Sequence, residues 1–135
     1  RYMPILEWNR SLETGIELID NQHQELFRRI DRLELAMYNG RAVTELRNLL
    51  EYLESYIIEH FHDEEELMLR INYPGYAAHV KEHNDFRNKI NSLLAECKGK
   101  GIDSYLAIDV DKQMRKWLEH HIMKTDMAIV PFINK

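Results

Sequence analysis

Four stretches of the chain repeat apolar residues at spacings of three and four, the pattern of helices with one buried face. The first, about 20–39, aligns His23, Leu26, Phe27, Ile30, Leu33 and Met37, with Asp20 placed to cap its start and Gly40 to end it. The second, about 44–70, aligns Leu46, Leu49, Leu50, Leu53, Ile57, His60, Glu64 and Met68, and breaks at Asn72, Pro74 and Gly75. The third, about 75–98, carries His79, His83, Phe86, Ile90, Leu93 and Cys97 and stops at Gly99 and Gly101. The fourth, about 103–130, opens at Asp103 or Ser104, carries Leu106, Val110, Met114, Trp117 and His121, and closes at Pro131. Residues 1–18, with Pro4, Trp8 and Gly15, show no such period and read as an irregular arm. Long helices joined by short connections run antiparallel to their neighbours. The expected fold is therefore all-α, an up-down-up-down four-helix bundle forming a single domain over 1–135.

Composition narrows the class. Of 135 residues, 44% are hydrophobic and 30% charged, the balance of a soluble domain large enough to form a core without disulfides. Lys plus Arg number 18 against 23 for Asp plus Glu, and no basic cluster offsets the net charge of −5, which argues against a nucleic-acid surface. No apolar run approaches the roughly 18 residues of a membrane span, so no membrane insertion is expected. The lone Cys97 cannot form an internal disulfide, and no signal-peptide pattern opens the chain, so the expected location is cytoplasmic.

The anomaly lies inside the apolar stripes. His23, His60, His79, His83 and His121 all occupy core-facing positions, with Glu64 turned inward beside them. One such histidine is ordinarily a satisfied core residue. Five in one small core would cost several kcal/mol without strong partners. A metal supplies that partner, because neutral imidazole is the commonest protein metal ligand. His60/Glu64 and His79/His83 stand four apart, one turn along the same face, so each pair can reach one ion. The same register sets aside two look-alikes. His62 and Glu66 share a face with Asn48, Glu51, Ser55 and Glu59, and His120 shares one with Gln113, Lys116 and Lys124; both faces read as solvent. His79-Val80-Lys81-Glu82-His83 also spells H-x-x-E-H, an inverted zinc-peptidase motif. Glu82 falls toward the polar side with Ala78 and Lys89, and that reading would leave the other core histidines without a role.

With these positions set out, the whole chain resembles the bacterial hemerythrins. The resemblance runs through Trp8 and Gly15, Asp20-Asn21-Gln22-His23, His60-Phe61 with Glu64-Glu65 and Met68, His79-x3-His83, and Trp117-Leu118-x2-His121-Ile122-x3-Asp126. Ile129 departs from it, standing where many relatives carry Tyr. The resemblance implies two iron ions, one held by His79, His83 and His121 and the other by His23 and His60 with an open position. Glu64, Asp126 and a hydroxide or oxo group would bridge them. It further implies reversible dioxygen binding, for carriage, storage or delivery, and no enzymatic turnover. Trp117, Leu118, Ile122 and Phe61 neighbour the ligands and are candidates for the apolar wall around dioxygen, Leu118 and Ile122 foremost by the resemblance. Two other roles share this architecture. An oxygen- or redox-sensing domain would serve a fused signalling domain, where a carrier would serve an oxygen-consuming enzyme. A ferritin-like di-iron oxidase would carry mostly Glu ligands with Glu-x-x-His pairs, unlike five histidines and two carboxylates.

One geometric consequence follows. An α-helix turns about 100° per residue, so His121 and Asp126, five apart, would point about 140° away from each other. If both face one cluster, a wider turn with i to i+5 bonding is expected there, with the Thr125 hydroxyl bonding a freed carbonyl.

Overall fold

The computed structural model describes residues 7–133, so Pro4 and the rest of 1–6 lie outside the described residues. A short 3-10 turn (Arg10–Leu12) precedes α1 (Glu17–Tyr38), α2 (Ala42–Arg70), α3 (Tyr76–Lys100) and α4 (Ser104–Lys116). From α4 the fourth helix continues as a π-helical segment (Trp117–Asp126), a 3-10 turn (Met127–Ile129) and a last turn, α5 (Val130–Ile133). Connections of three to five residues join the helices, which fold as an antiparallel bundle.

The turns explain where each helix stops. Gly40, at φ 73°, and Gly101, at φ 83°, take the left-handed conformation that lets a helix end turn back on itself. Their neighbourhoods close with Arg41 N–H donating to Ala36 O at 2.7 Å and Gly101 N–H donating to Cys97 O at 2.8 Å. Asp103 caps α4, its Oδ1 accepting from Leu106 N–H at 2.8 Å. Asp20 does not cap. α1 starts earlier, at Glu17, and the Asp20 carboxylate inside it accepts from Thr14 N–H and Thr14 Oγ1, both at 2.8 Å, and from Gly15 N–H at 3.2 Å. It thereby anchors the arm to the first helix. Likewise Pro131 does not end the helical path. It sits in the first turn of α5, where its missing N–H is not needed.

Because neighbours are antiparallel, the starts of α1 and α3 meet the end of α2 and the π segment at one end of the bundle. The opposite end is filled by Leu33, Leu46, Leu49, Leu53, Ile90, Leu106, Val110 and Met114, all buried in one apolar core. The histidines of the stripes thus collect at one end, where apolar side chains such as Phe61, Trp117 and Ile122 continue the same core around them. Among the described residues, no helix is long and apolar enough to cross a membrane.

Candidate metal centre

Each helix contributes to one buried cluster. His23 comes from α1, His60 and Glu64 from successive turns of α2, His79 and His83 from successive turns of α3, and His121 and Asp126 from the π segment. None of the seven is more than 2% exposed. The wide i to i+5 turns of the π segment bring His121 and Asp126 to the same side although they are five apart. Thr125 Oγ1 lies 3.2 Å from His120 O, across the span of one wide turn.

The seven fall into two groups that share Glu64 and Asp126: one with His79, His83 and His121, the other with His23 and His60. The shared carboxylates divide their oxygens. Glu64 Oε1 lies 2.6 Å from His79 Nε2 and 2.9 Å from His83 Nε2, and Asp126 Oδ1 lies 3.0 Å from both His79 and His121 Nε2. The other two oxygens face the second group, Glu64 Oε2 at 3.4 Å from His60 Nε2 and Asp126 Oδ2 at 3.0 Å from His23 Nε2.

The opposite edges of three rings are pinned by acceptors. His83 Nδ1 donates to Glu65 Oε2 at 2.7 Å, His121 Nδ1 to Glu82 Oε1 at 2.9 Å, and His60 Nδ1 to Gln22 Oε1 at 2.6 Å. With the proton on Nδ1, the neutral ring presents a bare lone pair at Nε2. His83 and His121 Nε2 then face each other at 3.2 Å, as do His23 and His60 Nε2, with carboxylate oxygens between the pairs. The bare Nε2 atoms of His60, His83 and His121 add to four carboxylate oxygens, and lone pairs aimed at lone pairs in a dry interior repel unless cations or protons lie among them. Glu64 Oε2 and both Asp126 oxygens are buried without a hydrogen bond, in keeping with that requirement. Five imidazoles with two carboxylates suit a borderline transition metal such as iron. The residues fit a pair of such ions.

Charge in the metal-free chain tells the same story. Burial disfavours a charge on His23 and His79, but their close contacts with the Asp126 and Glu64 carboxylates, and those negative charges, outweigh it and lift both pKa values to about 9. Burial pushes Glu64 up, yet the charge of His60 and hydrogen bonds from His121 and His23 hold it well below the usual carboxylate range. Asp126 is held low too, the His121 and His23 contacts overcoming burial and the neighbouring Glu64 charge. Without metal, protons on imidazole take the place of the cations.

Aromatic rings wall the cluster. Phe61 stacks flat on His83 at 4.0 Å between centroids, Trp117 on His121 at 3.8 Å, and Phe86 on Trp117 at 3.9 Å. Trp117 Nε1 donates to the buried Tyr56 hydroxyl at 3.2 Å. Leu118 and Ile122, the other two candidates for the wall, are fully buried on the π segment, and Ile129 is buried beyond them.

His62, Glu66 and His120 are exposed and outside the cluster. Glu82 is not the solvent-facing residue its register suggested. It is half-buried, bonds His121 Nδ1 and accepts from Thr125 Oγ1 at 3.0 Å, which places it behind a ligand ring and not in the space between His79 and His83. That geometry leaves the H-x-x-E-H arrangement without its water-activating glutamate. Glu65, Glu82 and Gln22 were not picked out in the sequence as functional. Their signal is faint: each sits beside a ligand residue or within one turn of it.

The model of the Hemerythrin HHE cation binding domain family matches residues 14–133. A bacteriohemerythrin of Pseudomonas aeruginosa is 30% identical over 128 residues, covering 95% of this chain and 81% of its own. A myohemerythrin of Theromyzon tessulatum is 31% identical over 120 residues, covering 89% and 87%. A crystal structure of wild-type hemerythrin superposes with a TM-score of 0.76 at 23% identity, over 97% of this chain and 99% of that one.

Proposed function

Since this chain belongs to the hemerythrin family, we propose that it binds dioxygen reversibly at a non-haem di-iron centre held by His23, His60, Glu64, His79, His83, His121 and Asp126. Proteins of this family are oxygen carriers and sensors, and this chain is read as a binding protein without turnover. The observation that carries the reading is the division of the two shared carboxylates, whose four oxygens face two separate histidine groups inside one dry cluster. Iron held by these residues would supply the electrons for reversible dioxygen binding.

The residues of the chain provide the rest. Glu64 and Asp126 would span the two ion positions and offset half of their charge. Gln22, Glu65 and Glu82 hold protons on the Nδ1 atoms of His60, His83 and His121 and so keep the Nε2 lone pairs aimed inward. The group with only two histidines has fewer protein donors, so it is the side with room for a small ligand. Phe61, Trp117, Leu118 and Ile122 surround the ligands with apolar surface and exclude water, which otherwise carries protons in and lets superoxide or peroxide escape.

The test is anaerobic loading with two equivalents of Fe(II), exposure to air, and removal of oxygen under argon, followed by visible absorption. A band that appears with oxygen and fades on its removal over repeated cycles is expected. Irreversible bleaching with release of peroxide would overturn reversible binding in favour of oxidase chemistry.

A further inference from the structure

The two halves of the cluster differ behind their imidazoles as well as in histidine count. On the three-histidine side, His83 and His121 each donate Nδ1–H to a carboxylate, Glu65 at 2.7 Å and Glu82 at 2.9 Å. Glu82 is itself held in place. Thr125 Oγ1 lies 3.0 Å from both of its oxygens, so the π segment that supplies His121 also fixes the carboxylate behind it. On the two-histidine side, His60 donates to the neutral amide of Gln22. The amide cannot be reversed, because Gln22 Nε2 donates to Asp63 Oδ2 at 2.8 Å, leaving its oxygen for His60. His23 Nδ1 is buried with no hydrogen-bond partner, and so is His79 Nδ1 on the other side, so the contrast is two carboxylate-backed rings against a single amide-backed one.

A carboxylate behind an imidazole draws the Nδ1 proton toward itself and makes Nε2 a stronger donor; an amide oxygen does this less, and a missing partner not at all. We propose that Glu65 and Glu82 are positioning residues that make the three-histidine half fill first and hold its ion more tightly, while Gln22 leaves the two-histidine half exchangeable. The inference rests on the two-ion reading above. It goes beyond donor counting, because it assigns part of the difference to residues that touch no ion. Loading then passes through a chain with one ion, and the second ion is the one lost first to a chelator.

The experiment is titration of the metal-free chain with Co(II) under nitrogen, followed by calorimetry and visible absorption. Two steps totalling two ions are expected, and His60→Ala should abolish the second step while keeping the first. Glu82→Gln preserves shape and hydrogen bonding but removes the charge. It should weaken the first step by about 10- to 100-fold and the second by less than about threefold. The double variant Gln22→Glu/Asp63→Asn, in which the new amide at position 63 can donate to the new carboxylate, should strengthen the second step by about tenfold and narrow the gap, which keeps the test decisive even if Glu82→Gln fails to fold. Equal weakening of both steps in Glu82→Gln, no change in that double variant, or binding of both ions in one step would overturn the proposal. A total below two ions, with His60→Ala and His121→Ala binding like the parent, would instead overturn the two-ion reading on which it rests.

Discussion

Away from the metal cluster, α1 and α4 press two carboxylates together, and replacing one should stabilise the chain in a pH-dependent way. Glu34 faces Asp111 and shares Arg115 with it. Arg115 Nε lies 3.3 Å from Glu34 Oε2, and Arg115 Nη2 lies 2.9 Å from Asp111 Oδ2. One guanidinium cannot neutralise two carboxylates. Burial first, and then the hydrogen bond and charge of Asp111, raise the Glu34 pKa from 4.5 to about 7, with Arg115 opposing. Between those values the folded chain keeps a proton that the unfolded chain has released. Stability therefore falls as pH rises from 4.5 to about 7 and levels off above it. At about 1.4 kcal/mol per tenfold, the full difference would be about 3 kcal/mol. Solvent reaches the edge of the pair, where Arg115 is 38% exposed, and screening reduces the expected effect to about 1–2 kcal/mol. Glu34→Gln mimics the protonated acid. In urea unfolding of parent and variant side by side, so that the metal contribution cancels, the two should match near pH 4. The variant should gain about 1–2 kcal/mol by pH 8. A difference that does not change with pH, or a variant less stable at pH 8, would refute the shared-proton account.

Three further outcomes are expected. His60→Ala should fall from two irons per chain to about one, His121→Ala should bind iron weakly at both positions, and both should lose the oxygen-dependent band, whereas His62→Ala and His120→Ala, on exposed positions, should keep iron and band; iron analysis with visible absorption decides, and iron loss from His62→Ala would contradict the facing of α2. Removing iron with a chelator should lower Tm and speed hydrogen exchange at the cluster end more than at the leucine-rich end, because ligation and folding are coupled; an unchanged Tm would mean protons alone satisfy the histidines. Asp126→Asn keeps the shape of a shared ligand but removes its charge, so iron should bind at least about tenfold more weakly with circular dichroism preserved; undiminished binding would remove Asp126 from the bridging role.

How much of this could be read from the chain depends on the range of each interaction. The facing of His23, His60, Glu64, His79, His83 and His121 follows from local helical period, and the same arithmetic separates His62 and His120. Asp126 could not be placed by that arithmetic, since a regular helix turns it away; only the resemblance, with a wide turn, brought it inward. The supports behind the rings were out of reach. Gln22 bonds His60 from 38 positions away, and Glu82 bonds His121 from 39, so each partner is chosen by which helices pack side by side. Asp20 looked like a cap because it precedes an apolar stripe. Its carboxylate is instead claimed by N–H groups of the arm, which the left-handed Gly15 turns toward it.

The π segment also governs how this fold can change over generations. A π turn is an α turn holding one surplus residue, so the stretch between His121 and Asp126 is a place where the gene can lose a codon without scrambling the bundle. Elsewhere in a helix, a deletion rotates every later side chain by about 100° and spoils the buried face. Here the wide turns would tighten into ordinary ones, and the two donors would come to stand four apart, as His60 and Glu64 already do. The burden of the lost residue would fall on the short tail, where Ile129 is packed, and not on the ligands. Length variation in this lineage should accordingly collect in the last helix, where it retunes the spacing of two metal donors one residue at a time.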